Sequence, residues 1–409
     1  MMSENSILLG PDKNGNRLLT QGDQIVFFGP GEVDAPGAKL IPCADAEIKP
    51  AWACAHTHLY SGLVPFGMPA PSKKPENFVQ ILERVWWRLD RALDAESLRA
   101  SARYYVAESL LAGCTALVDH HESPNFIEGS LDVLADACDE LGVRALLTYG
   151  ATDRNFGRDE GHRGLEECRR FIESNTRPLV RGVVGLHASF TVSDDTIREA
   201  AVMCMQLDVP LHVHVAEDAA DVADARKRGY EGPMQRLAEL AALPEMSILA
   251  HGIHMQPEEV RLADQMGVWF VQNPRSNNGN AVGYPRALQF AQRVALGTDG
   301  WAAKMAEEKA FLAEQNLAHG EDPAVATARA ESSWRLLSDF FDEPIGALVE
   351  TAAADVRVEN AQGVQHVLVA GRLVVENGRL LTGDIEEIRA DARRQAERLW
   401  VEMAKYPES

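Results

Sequence analysis

Eight short runs of apolar and β-branched residues recur along the middle of the chain, each ending in polar residues: Ala51–His58, Cys114–His121, Val143–Gly150, Val183–Phe190, Pro210–Glu217, Ser247–His254, Val268–Pro274 and Arg293–Gly300. They alternate with longer amphipathic stretches, the order of βα units. Several are apolar at nearly every position, which marks strands covered on both faces, as in an all-parallel sheet. Eight such units predict an α/β protein, a closed (β/α)8 TIM-like barrel over residues 51–345. Helices are predicted at Glu96–Ala112, after a start rich in Ser and Asp, and at Gly129–Leu141 and Asp194–Leu207, which open with acidic or Ser residues.

The pattern changes at both ends. Ile7–Leu9, Gln24–Phe28 and Lys39–Ile41 at the front, and Val356–Val358, His366–Ala370 and Arg372–Val375 at the back, are short strand-like runs separated by Gly, Pro and Asn-Gly turns. They predict a small β-sandwich domain built from both termini, residues 1–50 and 346–385. From Asp384 a charged amphipathic pattern runs to about Met403, so residues 386–409 are expected to pack a helix on the outside. One connection stands out: about 55 residues separate the first two strands, with four prolines and the stretch Val85-Trp86-Trp87-Arg88. Long ordered connections are commonly lids or binding loops. Trp86 and Trp87 either face a pocket or staple the loop to the barrel.

Composition narrows the function classes. The 409 residues carry 40 Lys+Arg against 61 Asp+Glu, a formal net charge of −21. Affinity for nucleic-acid polymers needs a basic face, and anionic membrane surfaces attract basic segments, so both partners are excluded. At 46% hydrophobic and 25% charged the chain reads as globular. Six scattered cysteines, none paired at two-residue spacing, are those of reduced thiols. The start, Met1-Met2-Ser3-Glu4-Asn5, has no basic stretch followed by an apolar one, and no segment approaches 18 consecutive apolar residues. A cytoplasmic protein without a membrane span is expected.

The twelve histidines are unevenly spread: His56, His58, His120, His121, His187, His212, His214, His251 and His254 all fall near the C-terminal end of a predicted strand. In a parallel barrel these ends form the catalytic face. Residues at i and i+2 on a strand point to the same side. His56 with His58, and His212 with His214, can therefore reach one point at the barrel mouth. With His251 and Asp299 they make a site rich in imidazole nitrogen with one carboxylate, suited to Zn or Fe(II) and not to Mg or Ca. His120 and Asn277 stand where substrate contacts are plausible, and Trp301 and Met305 are candidates for pocket wall or core.

These residues carry a resemblance. Ala55-His56-Thr57-His58-Leu59, His214-x-x-Glu217, His251 in Ala250-His251-Gly252-Ile253-His254, Asn273-Pro274-Arg275-Ser276-Asn277 and Gly297-Thr298-Asp299-Gly300 resemble the successive signatures of the amidohydrolase superfamily. Their order matches its guanine deaminase-like and triazine (ATZ/TRZ) hydrolase subgroup. Through Trp86–Asp94, Asp119-His120-His121 and Asn277–Gly283 the chain is most similar to SsnA-type aminohydrolases. The resemblance implies one divalent metal per subunit, zinc or alternatively Fe(II), bound by His56, His58, His214 and Asp299. His251 lies beside the metal-bound water or on the ion itself. Glu217 is implied as proton shuttle, so that Glu217, His251 and Asp299 are the catalytic set. Binuclear relatives use a lysine at the end of the fourth strand; here that strand ends in Leu186-His187, so one ion is implied and His187 falls where relatives contact substrate.

The implied reaction is deamination of a small amino-substituted N-heterocycle of purine, pterin or triazine type, by metal-hydroxide attack with release of ammonia. Alternatives keep the site but expel chloride or open a cyclic amide, or make the chain a non-catalytic relative. Glu217 favours deamination, because an amine needs protonation to leave more than chloride does. A homo-oligomer, a dimer, is expected. Two departures stand out: Gln272 replaces a His common before Asn-Pro in relatives, and the C-terminal third is compressed around Ala354-Asp355-Val356.

Overall fold

In a computed structural model, which describes residues 6–408, each of the eight apolar runs forms a strand; Met1–Asn5 lie outside the described residues. The barrel strands are Trp52–Thr57, Cys114–His121, Arg144–Tyr149, Val184–Ala188, Leu211–Val215, Ile248–His251, Trp269–Gln272 and Val294–Leu296. Most are shorter than the apolar runs because the last residues of each run leave the ladder and turn over the barrel mouth. All eight residues of the second strand are buried, as the continuous apolar pattern requires.

The strands pair in parallel as two arcs. The fourth strand is split at Val183: Val180–Gly182 pairs with the third strand, and Val184–Ala188 with the fifth. Two seams close the barrel, with bridges at Ala151–Leu186 and Thr57–Asp299. At the second seam the amides of Thr298 and Asp299 both donate to the His56 carbonyl, at 2.9 and 3.0 Å. Closure of the barrel and placement of two site residues are thus one event.

Helix ends follow local chemistry. Asp94 caps Ala95–Leu111 in a reciprocal pair with Ser97, and Ser193 caps Asp194–Leu207. Ser130–Leu141 stops at Gly142, whose φ of +78° suits glycine at a left-handed C-terminal position.

The termini form two sheets. Gln24–Pro30, Asn16–Gln21, Ser6–Asp12 and Lys39–Cys43 make one; Arg379–Leu380, Arg372–Glu376, Gly363–Val369, Val356–Asn360 and Glu47–Pro50 make the other. A shared core that includes Leu9, Leu18, Ile25, Ile48, Val356 and Leu368 fills the space between them. Asn16–Gln21, Glu47–Pro50 and Arg379–Leu380 are additional to the runs read from the sequence, being short or rich in polar residues. Asn377 and Gly378, both at positive φ, turn the last hairpin.

The outer helix spans Ile385–Met403, capped by Asp384, and packs on Ala95–Leu111. Beyond it the chain holds the long first connection. The Tyr406 carbonyl accepts from Arg88 Nε at 2.8 Å, Glu408 pairs with Arg88 and accepts from Ser72, and Trp400 Nε1 donates to the Phe66 carbonyl. That connection is ordered into Leu59–Leu63, Phe78–Ile81, a widened π-type turn at Leu82–Trp86, and Trp87–Ala92. Widened turns of this kind are frequent at functional sites.

Tyr105 locks the seam from outside: its hydroxyl contacts Thr57 Oγ1 and the Trp301 carbonyl at 2.5 Å each, and Thr298 Oγ1 at 3.2 Å. Tyr105→Phe leaves these buried groups short of a partner and is expected to cost about 1–3 kcal/mol in denaturant unfolding. A loss near zero would show that the seam does not depend on this hydroxyl.

Candidate active site

The imidazoles that end the strands converge on one point because strand periodicity turns them inward and their Nδ1 atoms are tethered. His56 Nδ1 lies 3.0 Å from His212 Nε2, and His58 Nδ1 lies 2.5 Å from the His120 carbonyl. His214 Nδ1 is held by the His187 carbonyl at 2.6 Å, and His251 Nδ1 by Asn277 Oδ1 at 2.8 Å. Tethering through Nδ1 sets the tautomer and leaves each Nε2 free to act.

Asp299 is the anion at the centre. Its Oδ1 is 2.8 Å from His58 Nε2 and 3.4 Å from His56 Nε2, and Ser276 Oγ donates to Oδ2. The ligand atoms of His56, His214, His251 and Asp299 all lie within 4.8 Å of one another, and all four residues are buried. His58 stands beside this group, its ring stacked 5.4 Å from that of His214. Two backbone positions are strained to reach this arrangement: His251 and Asp299 sit at φ of +76° and +53°. Such positions cost non-glycine residues about 1–2 kcal/mol and cluster at functional sites.

The electrostatics suit a cation. Burial holds His56 and His214 well below the usual imidazole range, so they are neutral nitrogen donors. Burial alone would raise Asp299, but the adjoining His56 and His58 hold its carboxyl well below the usual range. Burial pulls His58 down, yet Asp299 outweighs it and holds His58 up at about 9: this pocket draws in positive charge. His56 Nε2 and His251 Nε2 are buried with no hydrogen-bond partner among the described residues. Buried polar atoms without partners are costly, and a metal ion with a water beside it would satisfy both. Three imidazoles and a carboxylate form a donor set of zinc type.

Glu217 follows on the loop after the fifth strand, its Oε2 3.6 Å from His251 Nε2. Burial, then the charge of Asp299, pushes its carboxyl well above the usual range. Glu217, His58, His214 and Asp299 all line one cavity. Phe78, Leu82, Trp86, Trp87 and Phe190 wall it with apolar surface; Tyr60, Glu122 and His187 complete the wall. Both tryptophans of the long connection therefore face the cavity.

Other residues singled out from the sequence lie elsewhere. His120 is packed beneath the cluster, with ring centroids 4.5 Å from His214 and 5.1 Å from His212, and its Nε2 on the Leu186 carbonyl. Asn277 stands behind His251 and orients it. Trp301 is 49% exposed and lies outside the cavity wall, with Arg275 over its ring. Glu122 and Arg154 went unremarked in the sequence, and Asp90 entered only as part of the stretch Trp86–Asp94. Glu122 directly follows Asp119-His120-His121, so its position at a strand end was a usable signal; Asp90, on the helix Trp87–Ala92, and Arg154, in a turn, have none.

The amidohydrolase family profile matches residues 48–330. The chain is 30% identical over 347 residues to a 5'-deoxyadenosine deaminase of Methanopyrus kandleri, covering 76% of this chain and 78% of that protein. It is 27% identical over 328 residues to an 8-oxoguanine deaminase of Pseudomonas aeruginosa, covering 75% and 72%. Among solved structures, a zinc-bound adenosine deaminase from Xanthomonas campestris superposes with a TM-score of 0.82 at 24% identity, covering 96% of this chain and 97% of that one. The chain belongs to the amidohydrolase family.

Proposed function

We propose that the chain is a metal-dependent aminohydrolase that deaminates an amino-substituted N-heterocycle of purine, pterin or triazine type. The observation that carries this reading is the buried three-histidine, one-aspartate cluster beside Glu217, whose carboxyl lines one cavity together with His214 and Asp299. Kinship with 5'-deoxyadenosine and 8-oxoguanine deaminases supports it. His56, His58, His214 and Asp299 are the proposed ligands, with His251 adjoining. A zinc or Fe(II) ion held there supplies a Lewis acid that brings the pKa of water towards about 7.

The chain's own groups do the remaining work. Asp299 and His251 accept and hold the proton of the attacking water. Glu217 gives its proton to the ring nitrogen beside the amino-bearing carbon, which makes that carbon electrophilic. A second transfer to the amine lets it leave as ammonia. Chloride would leave without that proton, so a carboxyl in place to give one argues for an amine. Trp86, Trp87 and Phe78 give a flat ring apolar faces and keep bulk water out. Six buried free cysteines support a reducing compartment, the cytoplasm, and among the described residues no helix is long and apolar enough to cross a membrane. A homodimer is part of the same proposal.

Elemental analysis of the purified protein is expected to find about one zinc or iron per chain, and His56→Ala or Asp299→Asn to abolish it. Zinc added at a hundred times its dissociation constant should stabilise the metal-free chain by about 2.7 kcal/mol; no shift in melting would argue against the cluster. Ammonia release across aminopurines, aminopterins and aminotriazines tests the reaction, and silence on every ring by the loaded protein would sink it. Glu217→Gln should lower turnover by about 10²–10⁴-fold with metal content unchanged.

A further inference from the structure

We infer that residues 404–408 are a strap that holds the long first connection down over the cavity, with Arg88 as the positioning residue through which the strap controls entry to the site. The inference goes beyond the proposed reaction and applies to whatever ligand the cavity takes.

Part of the cavity wall does not belong to the barrel strands. Phe78, Leu82, Trp86 and Trp87 line it, and all four come from the connection between the first two strands. Trp86 is the last residue of the widened turn, and Trp87 the first of the helix that follows. The Trp86 ring lies against the residue after Asp299: a Cβ placed on Gly300 would stand 3.3 Å from Trp86 Cη2. Access to the histidine cluster therefore depends on where this wall is held, as in enzymes whose loops close over the site.

Arg88 holds it. The residue is 8% exposed, and its guanidinium donates to acceptors from three parts of the chain. The Arg84 carbonyl, at 3.1 Å, belongs to the widened turn itself, and the Met403 carbonyl, at 3.3 Å, ends the outer helix. The Tyr406 carbonyl at 2.8 Å and Glu408 Oε1 at 3.1 Å come from the strap. Glu408 also accepts from the amide and hydroxyl of Ser72, earlier in the connection. Arg91 lies 5.1 Å over the Tyr406 ring, and Asn125 Nδ2 donates to the Arg91 carbonyl and the Tyr406 hydroxyl at 2.8 Å each.

Charge joins strap and wall into one unit. A guanidinium removed from water needs its acceptors. Without the strap, Arg88 Nε loses its partner and the carboxylate goes with it; water replaces them only if the turn Leu82–Trp86 lifts, which carries Trp86 and Trp87 off the cavity. The strap is also the weakest point of this unit. Ala404, Lys405 and Pro407 are exposed, and Tyr406 and Glu408 only partly buried. Segments with little buried apolar surface open at low free energy.

Hydrogen exchange on the full chain and on a chain ending at Ala404 tests the proposal, with zinc release to a chelator as second readout. In the shortened chain, the amides of residues 78–92 should exchange about tenfold or more faster, while those of Cys114–His121 keep their protection. Zinc, bound in the same amount, should pass to the chelator about tenfold faster. Arg88→Met in the full chain should reproduce both changes, and adding it to the shortened chain should change either rate by less than about twofold, since both alterations act through one guanidinium. Unchanged exchange at 78–92 would overturn the proposal. So would faster exchange spread evenly over the barrel strands, which would make the strap a general support of the fold, or faster exchange at 78–92 without faster zinc release. The exchange readout needs neither metal nor turnover, so a failure of the aminohydrolase reading would show separately, in metal content and ammonia release.

Discussion

The rest of the structure depends on one constraint: imidazoles are buried side by side where little positive charge can be held, and only His58, against Asp299, is held up. His56 alone has five other histidine rings with centroids 4.9 to 6.1 Å away. In water such groups would titrate independently near neutrality; packed together and dry, each additional proton is opposed both by burial and by its neighbours. The barrel meets this by tying Nδ1 atoms to backbone carbonyls, to Asn277 and to His212, and by supplying a single anion, Asp299. The result is a compact group of nitrogen lone pairs around one carboxylate, an arrangement stabilised by a cation.

That constraint reaches into the fold. Asp299 is set by the seam where the eighth strand meets the first, and its backbone amide is bonded to the carbonyl of His56. The same residue pair therefore closes the barrel and organises the cluster. Tyr105 reinforces the seam from the helix that follows the long connection, and the C-terminal tail fastens that connection through Arg88, adjacent in sequence to Trp86 and Trp87. Scaffold, lid and site are joined by a short chain of contacts.

How much of this was legible in the sequence follows from the range of the forces involved. The barrel strands could be read because burial on both faces leaves a continuous apolar run. The convergence of histidines could be read because strand periodicity and the polarity of a parallel barrel send strand ends to one rim. Sequence proximity misled where the backbone turns sharply: Trp301 follows Asp299 by two residues, but the positive φ at Asp299 carries the chain away and leaves Trp301 on the surface. Asn277, a candidate for shaping its loop or contacting substrate, holds His251 Nδ1. The pairing of Glu122 with Arg154 and Asp90 was invisible, since it joins a strand end, a turn and a helix with no fixed spacing.

The central claim is that this cluster holds one divalent metal. Anomalous diffraction from crystals of the native protein, recorded on either side of the zinc and iron absorption edges, tests it most directly. The account predicts one peak per chain, about 2.0–2.2 Å from imidazole nitrogens and from the Asp299 carboxylate. No peak among His56, His58, His214, His251 and Asp299 in crystals grown with zinc, or two peaks of equal weight, would contradict it.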